Sequence, residues 1–294
     1  MGIKQGIKRL VFNLSSGLAD MLYRRPYRDP EGKTRLKTED SLLHLDLVIT
    51  ECCTRKCRDC SNLMQYYQCP EHLSSDDVIR DLEKLLDCLR VDELKILGGE
   101  PFANQTVLSD VLRYLSGKAG ERVGKINIIT NGTVIPSDDC MEAMKTNFKA
   151  LVTFSNYGDV SSRQDEFIAL CKENGINYIL LDSSFYWLDF GRPVEYEESE
   201  DFVKRQYKYC FNRKNCNTLY RGGFYVCARQ AHGIHLGLLP DVKSDYVDLK
   251  DPKYSDNDAL RRDILGVVRR KQPVSACRYC INGKYIHVPK AVQK

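Results

Sequence analysis

No stretch of this chain is apolar for long enough to cross a bilayer, and the expectation is a soluble protein. Nor is there an excess of charge: 44 Lys and Arg stand against 40 Asp and Glu, too even a balance to argue for a nucleic-acid surface. Nothing at the start fits a secretory signal. Thirteen cysteines, an odd number grouped in close triplets and pairs, therefore do not read as a disulfide framework. They read as metal ligands in a reducing cytoplasm, where we expect the protein to reside. Tryptophan occurs once. What is abundant is ordinary core material: at 294 residues and 43% hydrophobic the chain can bury a sizeable core, as one large domain with a smaller appendage.

The densest chemistry lies in Cys53-Thr-Arg-Lys-Cys57-Arg-Asp-Cys60, directly after the strand-like run Leu45–Thr50. Three thiolates on one short loop can hold three irons of a four-iron cluster, and full ligation takes four, so one iron is left open to a non-protein ligand. Short cysteine-rich loops also bind zinc, and spacing alone leaves both open.

Around this loop the chain is organised as follows. In residues 1–40, Ile3, Ile7, Leu10, Val11, Leu14, Leu18, Met21 and Leu22 recur at helical spacing among lysines and arginines. This amphipathic helix packs over an open end or edge of the main domain or meets a partner or membrane surface. Ser74 and Asp77 form a capping box ahead of the apolar face Val78, Ile79, Leu82, Leu85, Leu86 and Leu89. Strands at Glu93–Leu97, Lys125–Thr130, Ala150–Ser155 and Asn177–Leu181 then alternate with helices at Val107–Ser116, Asp138–Lys145 and Arg163–Glu173. Such alternation predicts parallel strands with right-handed crossovers, an open or closed α/β barrel over 41–192. Ligands of such folds sit at the C-terminal strand ends, and short polar motifs fall there: Gly98-Gly99-Glu100-Pro101, Thr130-Asn131-Gly132 and Ser155-Asn156-Tyr157-Gly158.

The triplet spacing, Gly98-Gly99-Glu100-Pro101 and the ordered strand-end motifs together resemble the radical S-adenosylmethionine superfamily. The resemblance implies a partial (β/α)6-type barrel, a [4Fe-4S] cluster on Cys53, Cys57 and Cys60, and S-adenosylmethionine chelating its open iron. Gly98, Gly99, Glu100 and Pro101 would bind the methionyl amino group, and Asn131, Ser155 and Asn156 the ribose and carboxylate. In much of the superfamily the residue before the third cysteine is aromatic and lies near adenine; here it is Asp59, and Tyr66 or Tyr67 is the expected substitute. A low-potential electron donor such as flavodoxin or ferredoxin is also implied.

The last third, 193–294, carries Cys210, Cys216, Cys227, Cys277 and Cys280 around a hairpin pattern centred on Gly222-Gly223. Zinc would suit those spacings on chemistry alone. The arrangement resembles the twitch and SPASM extensions of the same superfamily and implies one auxiliary [4Fe-4S] cluster. Its ligands are expected chiefly at Cys216, Cys227, Cys277 and Cys280, with Cys210 in competition with Cys216. Cys69, Cys88, Cys140 and Cys171, on or beside predicted helices, are expected to be small buried hydrophobes. Asp182–Phe190, holding the sole tryptophan, either lines a pocket or bridges the two parts. The activity expected is radical hydrogen abstraction from a sugar or other small molecule, leading to oxidation or epimerisation. The alternatives are a peptide-modifying maturase, and a non-enzymatic iron–sulfur scaffold or electron carrier.

Overall fold

A computed structural model describes residues 41–182 and 186–294; the helix expected within 1–40 lies outside them. The chain alternates strand and helix: β1 Ser41–Val48, α1 Ser75–Cys88, β2 Arg90–Leu97, α2 Gln105–Tyr114, β3 Val123–Thr130, α3 Asp138–Thr146, β4 Ala150–Phe154, α4 Gln164–Glu173 and β5 Asn177–Leu180. There follow β6 Trp187–Leu188, α5 Glu200–Tyr209, α6 Phe211–Asn215, β7 Thr218–Tyr220, β8 Gly223–Tyr225, α7 Ala228–His235, β9 Val247–Asp248, α8 Asn257–Arg269 and β10 His287–Val288. Among the described residues no helix is long and apolar enough to cross a membrane.

Eight strands form one sheet in the order β5-β4-β3-β2-β1-β7-β8-β9. The pairs from β5 through β1 to β7 are parallel, while β8 and β9 are antiparallel to their neighbours. Among the described residues its two ends are β5 and β9, so the sheet is open there and not a closed barrel. Because side chains alternate along a strand, one face presents Leu45, Leu47, Leu94, Ile96, Ile126, Ile128, Val152 and Phe154. These share one core with Leu82, Leu85, Leu108, Val111, Met144 and Phe167 of helices α1 to α4. The amphipathic pattern of each helix is what turns its apolar stripe onto the sheet.

Local signals set the boundaries. Ser74 caps α1 by accepting from the Asp77 amide, and Ser137 and Ser199 cap α3 and α5 in the same way. The hairpin turn is Arg221-Gly222, both at positive φ (51° and 83°), the combination that matches the twist of a two-residue turn. Gly223, expected within the turn, is already in β8 and pairs with Tyr220. The boundary expected at residue 193 is crossed by the sheet itself, since β7 lies directly beside β1.

Candidate active site

The loop after β1 is laced to the loop after β2 through backbone bonds: the Gly99 amide donates to the Thr50 carbonyl at 3.0 Å and the Glu100 amide to the Cys52 carbonyl at 2.9 Å. A Cβ at Gly98 or Gly99 would run into the Thr50 or Cys52 carbonyl respectively. These two glycines are thus required by the close approach of the two loops. The C-terminal tail closes over the cysteine loop from outside: the Arg58 amide donates to the Val292 carbonyl at 2.7 Å, the Lys56 amide to Gln293 Oε1 at 3.1 Å, and Gln293 Nε2 points at Cys57 Sγ at 3.5 Å. Nothing in the sequence motifs marks Gln293.

Cys53, Cys57 and Cys60 all line one cavity of about 730 Å³. Burial pushes all three thiols up, Cys53 to about 12. A bare pocket of this kind disfavours thiolates, and bound iron is what would stabilise them. The same cavity is walled by Gly98, Gly99, Thr130, Asn131 and Ser155 from the ends of β2, β3 and β4. Asn131 Nδ2 donates to Thr54 Oγ1 at 3.1 Å and stands 3.9 Å from Cys53 Sγ, which ties the amide to the cysteine loop.

Other residues expected at the site stand outside the cavity wall. Glu100 is fully buried, and its carboxylate accepts from the Phe102 amide, Thr130 Oγ1 (2.8 Å) and the Asn131 amide (2.8 Å). Burial raises it to about 7 against the effect of those bonds. It shapes the strand-end turns and, with Pro101, does not line the cavity. Asn156 also stands outside the cavity wall, its Oδ1 accepting from the Gly158 amide and its backbone carbonyl from Lys290 Nζ. Tyr66 and Tyr67 do not reach the cavity either: the Tyr67 hydroxyl lies 2.8 Å from His232 Nδ1, and Lys294 sits over the Tyr66 ring. The aromatic that does face the triplet is Tyr157. It packs edge-on against Trp187 with ring centroids 5.4 Å apart, and both line the cavity. Phe190 joins them there, while β6 pairs with β10, so the described part of that segment from Tyr186 on both lines the pocket and bridges to the C-terminal part.

Residues 46–155 match the family model of a 4Fe-4S single cluster domain. This segment is similar to an iron–sulfur cluster domain. The match agrees with the four-iron cluster expected of this segment. Among solved structures, the chain is similar to native anSMEcpe with bound AdoMet and Kp18Cys peptide (14% identity, 83% of this chain and 88% of that chain covered, TM-score 0.49). It is also similar to a histidine-tagged anSMEcpe with bound AdoMet (13%, 82% and 88%, 0.47) and to Streptococcus suis SuiB bound to S-adenosylmethionine (16%, 61% and 40%, 0.38). No curated protein matches it.

Beyond the cluster domain, Cys210, Cys227, Cys277 and Cys280 line a second, small cavity, and Cys210 lines the large one as well. Asn282 Nδ2 donates to Cys210 Sγ at 3.3 Å while its Oδ1, buried, has no partner. Cys216 is not in that wall; it sits against Asp46 of β1, near Lys95. Among the described residues no three Cys, His, Asp or Glu side chains stand close enough to hold a single metal ion. Cys88, Cys140 and Cys171 are buried as expected; Cys69 is exposed, because it lies in the loop ahead of α1 and not on a helix.

Proposed function

We propose that this chain is a radical S-adenosylmethionine enzyme. The observation that carries the reading is the large cavity, where three thiols of one loop face the polar ends of β2, β3 and β4 across space for a ligand. The fourth cysteine at its wall, Cys210, belongs with Cys227, Cys277 and Cys280, so the triplet keeps an iron position free. When bound and reduced by a flavodoxin- or ferredoxin-type donor, the cluster supplies the electron that cleaves S-adenosylmethionine to a 5′-deoxyadenosyl radical.

The chain's own residues bind, orient and exclude water. The Asn131 amide and the Ser155 hydroxyl offer donors and acceptors to the ribose and carboxylate. Glu100 acts one step back, fixing Thr130 and Asn131. Tyr157 and Trp187 supply the aromatic faces that Asp59 does not, the Asp59 carboxylate being held by Arg58 at 2.9 Å. Phe190, Tyr209 and Tyr285 complete a largely apolar wall, which keeps water from a reactive radical. We further infer an auxiliary four-iron cluster on Cys210, Cys227, Cys277 and Cys280, with Cys216 left aside. Cys210, Cys227, Cys277 and Cys280 would hold that group, with Cys210 at the wall of both cavities, and the group would supply an electron acceptor for a net oxidation.

For the substrate, a peptide takes precedence over the sugar expected from sequence. The outer edge of β5 has no partner strand among the described residues, and Ile179 and Leu180 on it, with Leu181 just beyond, are exposed. An extended peptide can add to such an edge.

The test is 5′-deoxyadenosine formation by the anaerobically reconstituted, reduced chain. The parent is expected to form it, faster with a pool of unstructured peptides than with a pool of nucleotide sugars, and the Cys53→Ala/Cys57→Ala/Cys60→Ala variant is expected to form none. Equal product from that variant would overturn the cluster assignment, and stimulation by sugars alone would overturn the peptide reading.

A further inference from the structure

Three partly buried cations of the molecule have a carboxylate at hand: Lys95 has Asp46 at 3.4 Å, Arg270 has Asp245 at 3.0 Å and Arg221 has Glu51 at 2.6 Å. Arg229, more deeply buried than any of them, does not. It follows Cys227 at the start of α7, is 3% exposed, and spends its guanidinium on backbone carbonyls alone, those of Gly191 at 2.8 Å and Tyr279 at 3.0 Å. Among the described residues no Asp or Glu lies within ion-pair distance of it. Asp189, a carboxylate near Cys280, accepts instead from the Gly191 amide at 2.7 Å.

A buried charge without a counter-ion is costly, and carbonyl dipoles offset only part of that cost. Arg229 lines the small cavity together with Cys210, Cys227, Cys277 and Cys280. The missing anion is therefore accounted for by what the four cysteines hold. A four-iron cluster bound by four thiolates is a net anion, and one-electron reduction adds a further negative charge with no bond made or broken.

We propose that Arg229 is the counter-cation of the auxiliary cluster and sets its reduction potential. The proposal rests on the auxiliary-cluster reading above, and the two fail separately. The guanidinium lowers the energy of the reduced, more negative state more than that of the oxidised state, so it raises the potential and makes the cluster a better electron acceptor. It is a positioning residue for charge, and it touches no substrate.

The experiment uses the full chain carrying Cys53→Ala, Cys57→Ala and Cys60→Ala, so that only the auxiliary cluster remains, titrated with dithionite under spectroscopic observation. Iron analysis comes first: a chain without iron in this background overturns the auxiliary-cluster reading and the proposal with it. With the cluster present, Arg229→Gln, which keeps donors for the carbonyls but removes the charge, is expected to titrate at a more negative potential, and Arg229→Lys near the parent. An Arg229→Gln protein with full iron that titrates at the parent potential overturns the proposal while leaving the cluster in place. Should Arg229→Gln lose iron, Arg229→Lys decides: iron retained at the parent potential supports a charge role, and loss of iron there too shows a purely structural one.

Discussion

Glu93 shows how much of this molecule is settled by single side chains on the sheet face turned away from the helices. It is buried beside His44 (2.9 Å), Asn127 (3.0 Å) and Lys125 (3.1 Å). Burial alone would raise its carboxyl, but the bonds from His44, Asn127 and Lys125 outweigh it and hold the group well below the usual carboxylate range. A carboxyl depressed in the folded state contributes stability that is present above its unfolded pKa and is lost as pH falls. Glu93→Gln is accordingly expected to cost on the order of 1.5–3 kcal/mol at neutral pH, with the gap to the parent closing as pH drops through and below the carboxylate range. Urea unfolding at a series of pH values reads this out, and a gap independent of pH would contradict it. Such partnerships are invisible in sequence, where Glu93 is one acidic residue in a strand. Ligand number is different: the triplet can be read because three cysteines on one loop fix their chemistry locally. Glu100 and Asn156 are only partly legible for the converse reason, since their motifs place them at strand ends without saying which way their side chains turn.

At the scale of elements, periodicity locates nearly every strand and helix of the first half, since each buries one defined stripe or face. The ends are harder. Arg90–Asp92 belongs to β2, yet its charged residues hide it, and Gly222-Gly223 can be seen as a turn while the part played by Arg221 cannot. The roles of Gly98 and Gly99 are also only half legible: in sequence the pair suggests room for a ligand, whereas the structure shows room for the cysteine loop. A methyl group at residue 99 would meet the Cys52 carbonyl and the Cys53 Cβ, and backbone cannot yield as a flexible side chain does. Gly99→Ala is therefore expected to destabilise the chain by about 1–3 kcal/mol and to lower iron bound per chain, because the shift falls on Cys53. Iron analysis beside thermal unfolding tests the pair of effects; a variant with parent stability and full iron would show that the loops separate freely.

For the whole molecule, the sequence suggests a barrel core ending near residue 192, because the helix and strand rhythm stops there and an acidic stretch follows. The structure joins the two parts through the sheet and through side chains. Thr218 and Leu219 of β7 pair with Asp46 and Leu47 of β1, Lys95 Nζ reaches the Asn215 carbonyl at 2.6 Å, and Lys84 Nζ reaches the Leu249 carbonyl at 2.6 Å. Glu51, next to the cysteine loop, is held by Tyr220 and Arg221 of the hairpin. Such nonlocal pairing leaves little trace in a linear pattern. Leu219, Phe224, Val226, Val247 and Leu249 all belong to the same core as the first half. At roughly 1.5–3 kcal/mol for each buried side chain, removing them takes away on the order of 10 kcal/mol, comparable with the entire stability of a domain, about 5–15 kcal/mol. It would also bare the β1 edge for pairing with other chains and strip the Val292 and Gln293 contacts from the cysteine loop. A chain ended at Arg192 is thus expected to aggregate or unfold and to retain no stable cluster on Cys53, Cys57 and Cys60. Sedimentation and iron content of that truncated chain decide the matter, and a soluble, cooperatively folded fragment with its cluster in place would restore the two-domain reading.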